Sequence, residues 1–221
     1  MASKETFTYP SLMRIRRESK RFQGDNRFPQ EDVFRVPEKT TVIPNFAYRR
    51  RADIRRLVIP EGVTEIGKCA FERCINLETV SLPSTLRKID WGAFDGCENL
   101  RRLVVPEGVT EIENFAFWYC KNLETVSLPG TLRKIGEGAF ASCESLRELV
   151  VPEGVTQIGD DAFSLCKNLE TVTLPDSLWG LRDAAFCGCD SLRMVSLPAS
   201  WKGKQLQLER AFIFEDVRVY R

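Results

Sequence analysis

Prolines recur every 23 residues along this chain, at Pro37, Pro60, Pro83, Pro106, Pro129, Pro152, Pro175 and Pro198. An Ala-Phe pair keeps the same register at Ala70–Phe71, Ala93–Phe94, Ala116–Phe117, Ala139–Phe140, Ala162–Phe163 and Ala185–Phe186. So does a cysteine, at Cys74, Cys97, Cys120, Cys143, Cys166 and Cys189. A repeat this short cannot enclose a core by itself. It buries its apolar face only against its neighbours, so the period predicts a stacked solenoid with one strand-containing coil per repeat. Nothing between the first and last proline breaks the period, which predicts one domain without an internal linker.

One coil can be read residue by residue. From Cys74 onward, Leu77, Val80 and Leu82 are apolar, and Pro83 then lacks the N–H that a further ladder bond needs. A strand therefore ends there. Leu86-Arg87-Lys88-Ile89 fits a second short extended segment, followed in several repeats by a turning glycine (Gly67, Gly136, Gly159). Ala93–Phe94 and Cys97 then suggest one tight helical or 3₁₀ turn, because residues three apart share a side. Leu, Val, Leu, Leu, Ile, Ala, Phe and Cys from every coil make a continuous core. The six cysteines of one column would stack about 4.8 Å apart as a ladder of small buried thiols. That arrangement does not favour the specific pairings of a disulfide framework.

The pattern Cys-x-x-Leu-x-x-Val-x-Leu-Pro-x-x-Leu-x-x-Ile-Gly-x-x-Ala-Phe-x-x-Cys resembles the BspA-like leucine-rich repeat, also described from treponemal surface proteins, over residues 33–200. The resemblance implies a β-rich solenoid: a right-handed leucine-rich-repeat superhelix with parallel strands on its concave face and short 3₁₀ or helical turns elsewhere. It also implies binding to proteins or host surfaces rather than catalysis, with members often secreted or surface-attached. About seven 23-residue repeats fill 33–200. Open solenoids must cover their end columns. Residues 1–32 are therefore expected as a basic N-terminal cap with room for a partly disordered start. Residues 201–221 alternate in Leu206-Gln207-Leu208, Ala211-Phe212-Ile213-Phe214 and Val217-Arg218-Val219, and are expected as a β-rich C-terminal cap. If either cap is only a mimic, end-to-end dimerisation follows.

Several functions are argued against. The chain has no histidine, which removes Ser-His and Cys-His nucleophile activation and Cys₂His₂ zinc binding. Cys187 and Cys189 have the wrong spacing for a zinc knuckle, and a thiolate cluster at the column's end is disfavoured against plain packing of buried cysteine. No Gly-rich phosphate loop is present. The expectation is a non-enzyme with no cofactor and no metal. Met1 to Arg21 lacks an apolar signal region, and no stretch approaches the roughly 20 apolar residues of a membrane span. The chain is therefore expected to be cytoplasmic as expressed, or secreted or surface-bound if a signal was trimmed. Net charge is +1, but residues 1–56 hold 14 Lys/Arg against 7 Asp/Glu, a net of +7, leaving −6 on residues 57–221.

The surface has an order of its own. Arg55, Glu78, Arg101, Glu124, Arg147, Glu170 and Arg193 alternate in sign, as do Glu65, Lys88, Glu111 and Lys134 before Gln157 and Gly180. Opposite charges on adjacent strands stabilise, so these read as structural ladders. Pro-Glu-Gly-Val-Thr at Pro60, Pro106 and Pro152 alternates with Pro-x-Thr/Ser-Leu at Pro83, Pro129 and Pro175, a superperiod of 46 residues that suggests duplication or idealisation by design. Two further rows are not uniform. Arg56, Thr79, Arg102, Thr125, Glu148, Thr171 and Met194 run from basic to acidic to apolar, while Val58, Ser81, Val104, Ser127, Val150, Thr173 and Ser196 are mildly apolar.

The candidate partner-binding residues, on the concave strand face, are Arg55, Arg56, Arg101, Arg102, Val104, Arg147, Glu148, Val150 and Met194. The aromatics at variable positions, Trp91, Trp118, Tyr119, Trp179 and Trp201, read as surface cover or cap packing. Arg49, Arg50 and Arg51 form a basic patch that reads as a solvated edge, without a nucleic-acid motif beside it. The sequence thus predicts a non-catalytic protein-recognition scaffold with a protein partner and no nucleic acid. Two alternatives stay open: a structural or designed array without a natural ligand, and an intracellular effector whose basic N-terminal region engages an anionic partner.

Overall fold

The computed structural model describes residues 33–197, 201 and 210–211, and the backbone of 218–220. The expected cap at residues 1–32 lies outside the described residues. Each coil carries one three-residue strand and one two-residue strand, and like strands stack in parallel. The first row holds β1 (Val33–Arg35), β3 (Arg56–Val58), β5 (Thr79–Ser81), β7 (Arg102–Val104) and β9 (Thr125–Ser127). It continues as β11 (Glu148–Val150), β13 (Thr171–Thr173), β15 (Met194–Ser196) and β16 (Arg218–Tyr220), hydrogen-bonded as a separate ladder of four.

The second row is one seven-stranded sheet. It is made of β2 (Val42–Ile43), β4 (Glu65–Ile66), β6 (Lys88–Ile89), β8 (Glu111–Ile112), β10 (Lys134–Ile135), β12 (Gln157–Ile158) and β14 (Gly180–Leu181). Register follows the repeat, with Arg56 against Thr79, Thr79 against Arg102 and Lys88 against Glu111. The result is a parallel β-solenoid of about seven turns with almost no helix among the described residues.

Between the rows runs a third face, built from six-residue turn segments at 45–50, 68–73, 91–96, 114–119, 137–142, 160–165 and 183–188. The expected 3₁₀-type bonds occur there at alternate residues. Ala70, Glu72 and Cys74 donate to the carbonyls of Gly67, Cys69 and Phe71, three residues back. Cys69, Phe71 and Arg73 instead donate to the next coil, to Trp91, Ala93 and Asp95, at 2.6–2.9 Å. Turning alternate N–H groups toward the next coil goes with two residues per coil at positive φ, such as Cys69 (51°) and Arg73 (55°), or Gly92 (58°) and Gly96 (67°). A turn segment is thereby stitched to its neighbour as firmly as a strand is.

The core is a set of columns. Phe71, Phe94, Phe117, Phe140, Phe163 and Phe186 are fully buried and stack nearly parallel, with centroids 5.2–5.4 Å apart. Tyr48 continues the stack at 5.2 Å, and Phe34 closes it edge-on at 5.0 Å. Arg51 occupies the cysteine position of that first coil. Its guanidinium lies 5.1 Å over Phe34 and donates to both oxygens of Asp53, and the cysteine column begins one coil later at Cys74.

The 46-residue superperiod has a physical cause. Gly62, Gly108 and Gly154 donate at 2.9 Å to the hydroxyls of Thr85, Thr131 and Ser177 in the following coil. Those hydroxyls donate back to Val63, Val109 and Val155. Glu61, Glu107 and Glu153 accept the N–H of Ser84, Gly130 and Asp176. Each Glu-Gly turn therefore fits the turn after it, and the two coil types are complementary halves of one unit. Gly108 can reach Thr131 only because it sits at φ 99°, where a side chain would be strained and would overlap Arg87.

Of the expected C-terminal β-rich cap, Trp201, Arg210, Ala211 and the backbone of 218–220 are among the described residues. Phe186 donates to Ala211 at 2.9 Å, as Phe163 does to Ala185, so buried Ala211 extends the alanine column. Strand β16 pairs in parallel with β15, placing Arg218 against Met194. Trp201 is buried, and its indole N–H donates to Leu178 at 2.9 Å.

Candidate functional site

Exposure and partners separate the candidate residues into two groups. Arg55, Arg101 and Arg147 stand one residue before their strands and pair with Glu78, Glu124 and Glu170 of the next coil at 3.1, 3.9 and 3.5 Å. These are exposed pairs, each worth about 0.2–1 kcal/mol, and they serve the stack. Lys88 with Glu65 and Lys134 with Glu111 do the same on the second sheet. Arg56, Arg102 and Glu148 are exposed on the strands, with no ion pair among the described residues. Val104 and Val150 are 66% and 54% exposed, and Met194 is 43% exposed.

Period two explains both the exposure and the row. The central strand residues Leu57, Leu103, Leu149, Val172 and Val195 are buried, so their neighbours on either side must face out. Packing does not dictate those outward residues. Arg102, Val104, Glu148 and Val150 line one open surface with Thr125 and Ser127 between them. Its hydrogen bonding divides between β9 and β11, where the row changes from arginine to glutamate.

The basic patch is largely committed to other contacts. The Arg49 guanidinium spans both oxygens of Glu72, at 2.8 and 2.7 Å, and also lies over Phe46. Arg51 is bound by Asp53. Arg50 alone of the three makes no ion pair among the described residues. Glu72 is itself buried beside Cys69 and Asp95. Against burial, which would raise it, the hydrogen bonds from Arg49 and Cys69 hold the Glu72 carboxyl below the usual range. Burial, reinforced by the Glu72 charge, pushes Asp95 up to about 6.

No group of three or more His, Cys, Asp or Glu among the described residues could hold a metal ion. The column cysteines are free, and from Cys74 to Cys189 each thiol donates to a carbonyl 26 residues earlier, at 3.2–3.5 Å. Burial pushes Cys74 up to about 12 and raises Cys97, Cys120, Cys143 and Cys166 as well. Such thiols are poor nucleophiles. Of eight cysteines, seven are buried and Cys187 is half-buried. Titration of the native protein with a thiol reagent should therefore give about one fast-reacting group, and the rest only on denaturation. Several fast groups would mean that the column is open to solvent.

The aromatic positions divide as well. Trp201 packs the end of the core, as expected, whereas Trp91 (43%), Trp118 (42%) and Trp179 (60%) are exposed. No described helix is long and apolar enough to cross a membrane.

Comparison with known proteins agrees with this architecture. The family model for a BspA type leucine rich repeat region matches in six copies, over residues 41–166 and 134–205. No curated protein matches the sequence. A leucine-rich repeat protein from Bacteroides ovatus is 22% identical with a TM-score of 0.61, covering 84% of this chain and 54% of that one. This chain thus spans just over half of that relative's length. The T. pallidum leucine rich repeat protein is 28% identical with a TM-score of 0.54, covering 74% of this chain and 68% of that one.

Proposed function

The chain belongs to the BspA-type leucine-rich-repeat family, and from that premise we propose that it is a protein-recognition scaffold whose strand face docks a protein partner. Leucine-rich repeat scaffolds of this kind are typical of protein–protein interaction and are generally non-catalytic. One observation carries the choice of face: Arg56, Arg102 and Glu148 stand exposed and unpaired among the described residues, beside exposed Val104 and Val150. The alternating rows beside it, Arg55 with Glu78, Arg101 with Glu124, Arg147 with Glu170, and Lys88 with Glu65, are spent on coil-to-coil pairs. Arginine with apolar neighbours on a rigid surface is the composition that contributes most at interfaces. Arg55, Arg101 and Arg147 flank this surface and already hold it together.

The fit is to a partner that offers acidic groups toward Arg56 and Arg102 and a basic or apolar patch toward Glu148 and Met194. In a nuclease-treated pulldown from native lysate, Arg102→Glu should lower recovery of that partner at least about tenfold, because a reversed charge faces the partner's own. The melting temperature should move by no more than about 2 °C, as for an exposed substitution. Undiminished recovery with the variant would refute the assignment of this face. A partner lost on nuclease treatment would point to nucleic acid instead. The ordered ladders favour the reading of a ligand-free array, which would yield no partner at all. The alternative of an effector using its basic N-terminal region would instead lose its partner on removal of residues 1–30; in the neighbouring basic patch, Arg49 and Arg51 are held by Glu72 and Asp53.

A further inference from the structure

We propose that the turn face carries a second docking surface, for a peptide segment bearing arginine or lysine. Four aromatic rings are in contact there: Trp91 on Phe115 at 5.9 Å, Phe115 on Trp118 at 6.2 Å and Trp118 on Tyr119 at 6.0 Å. The fold does not ask for them. At the position of Trp91 the other coils carry Asn45, Lys68, Asn114, Glu137, Asp160 and Asp183. At the position of Trp118 they carry Arg49, Glu72, Asp95, Ala141, Ser164 and Cys187. Trp91 and Trp118 are exposed and Phe115 and Tyr119 half-buried beside them, and a contiguous aromatic patch at the surface marks a contact site more often than scattered single residues do.

The patch is seated. Phe115 lies against Gly138 so closely that a Cβ there would stand 2.5 Å from its ring. Asn114 accepts the N–H of Glu137 at 2.9 Å, which fixes the next coil beside it. The rings already take up one cation, since the Lys121 ammonium lies 4.2 Å from the Tyr119 centroid.

Charge selects the occupant. Glu137, Asp160 and Asp161 follow the aromatic patch along the same face, in the next two coils at a spacing of about 4.8 Å. None of the three makes an ion pair among the described residues, and all are exposed. Rings with negative faces beside unpaired carboxylates attract a guanidinium twice over, by stacking and by a salt bridge. An acidic or neutral segment gains neither.

The test uses the intact chain and a fluorescein-labelled Gly-Arg repeat hexapeptide, read by fluorescence anisotropy at low salt. The arginine peptide should bind, its lysine counterpart more weakly, and its glutamate counterpart not at all. Trp91→Ala with Trp118→Ala should weaken binding by about tenfold or more, and Glu137→Lys with Asp160→Lys should do likewise. Arg102→Glu on the strand face should leave it unchanged. Equal binding of arginine and glutamate peptides, wild-type affinity in either double variant whose circular dichroism melt is preserved, or loss of binding in Arg102→Glu would each overturn the proposal. So would a concentration-dependent dimer in sedimentation that Trp118→Ala abolishes and the peptide does not displace, because the occupant would then be a second copy.

Discussion

Phe117→Ala is expected to lower the free energy of unfolding by about 3–5 kcal/mol, the range for removing a large aromatic from a packed core. The ring is fully buried between Phe94 at 5.4 Å and Phe140 at 5.2 Å, and its coil is pinned on both sides. Backbone bonds from Phe94 to Ala116 and from Phe117 to Ala139 hold the coil spacing, so the stack cannot collapse into the gap. Phe117→Leu should cost roughly 1–2 kcal/mol, since much of the volume is kept. Urea denaturation of both variants measures this. A cost for Phe117→Ala below about 1 kcal/mol would mean that the aromatic spine is not what closes the core.

Insertion of whole coils should depend on their parity. A second copy of residues 84–129 adds 46 residues and preserves every alternation, so in an array stabilised by nearest neighbours it should raise stability by about 2–7 kcal/mol, at typical per-residue stability. A second copy of residues 84–106 adds 23 residues and places like coils side by side. Arg101 then neighbours a second Arg101 and Lys88 a second Lys88, where the native stack has Arg101 by Glu124 and Lys88 between Glu65 and Glu111. The new junction also lacks the Glu-Gly turn whose bonds Thr85 completes. The 23-residue insertion should therefore gain far less than half of what the 46-residue insertion gains. Equal gain per added coil in urea titrations would show that the superperiod is only a trace of duplication.

How far the chain could be read in advance follows from which positions packing constrains. Column residues such as Ile89, Phe94 and Cys97 meet their own equivalents above and below, so identity at a fixed spacing is imposed on them and shows in the sequence. The charge ladders were legible for the same reason, because each member answers a partner 23 residues away. The pairing of Arg49 with Glu72 obeys that spacing too, and a search for opposite charges 23 apart would have found it.

Other features left weaker traces. The N–H groups of the third face that turn toward the next coil go with positive φ at Phe115, Asp161 and Leu165 as well as at glycines, and such residues carry no consistent signal. The complementary turns were visible as a 46-residue alternation, yet their cause lies in bonds between coils, from Gly108 to Thr131 and from Gly130 to Glu107. Ala211 keeps the alanine column three residues out of register, which disguised it as part of a strand alternation. Exposure of Arg102 and Val104 followed from period two, whereas what they bind is a property of another molecule.

The recognition face is tested most directly by photo-cross-linking from Thr125, exposed at its centre, with Thr110 beside the second sheet as the control position. A photoreactive residue at 125 should capture a protein partner that the same residue at 110 does not, and Arg102→Glu in the same chain should remove the captured band. Capture from 110 and 125 alike, or a band at 125 that Arg102→Glu leaves unchanged, would contradict docking on the strand face.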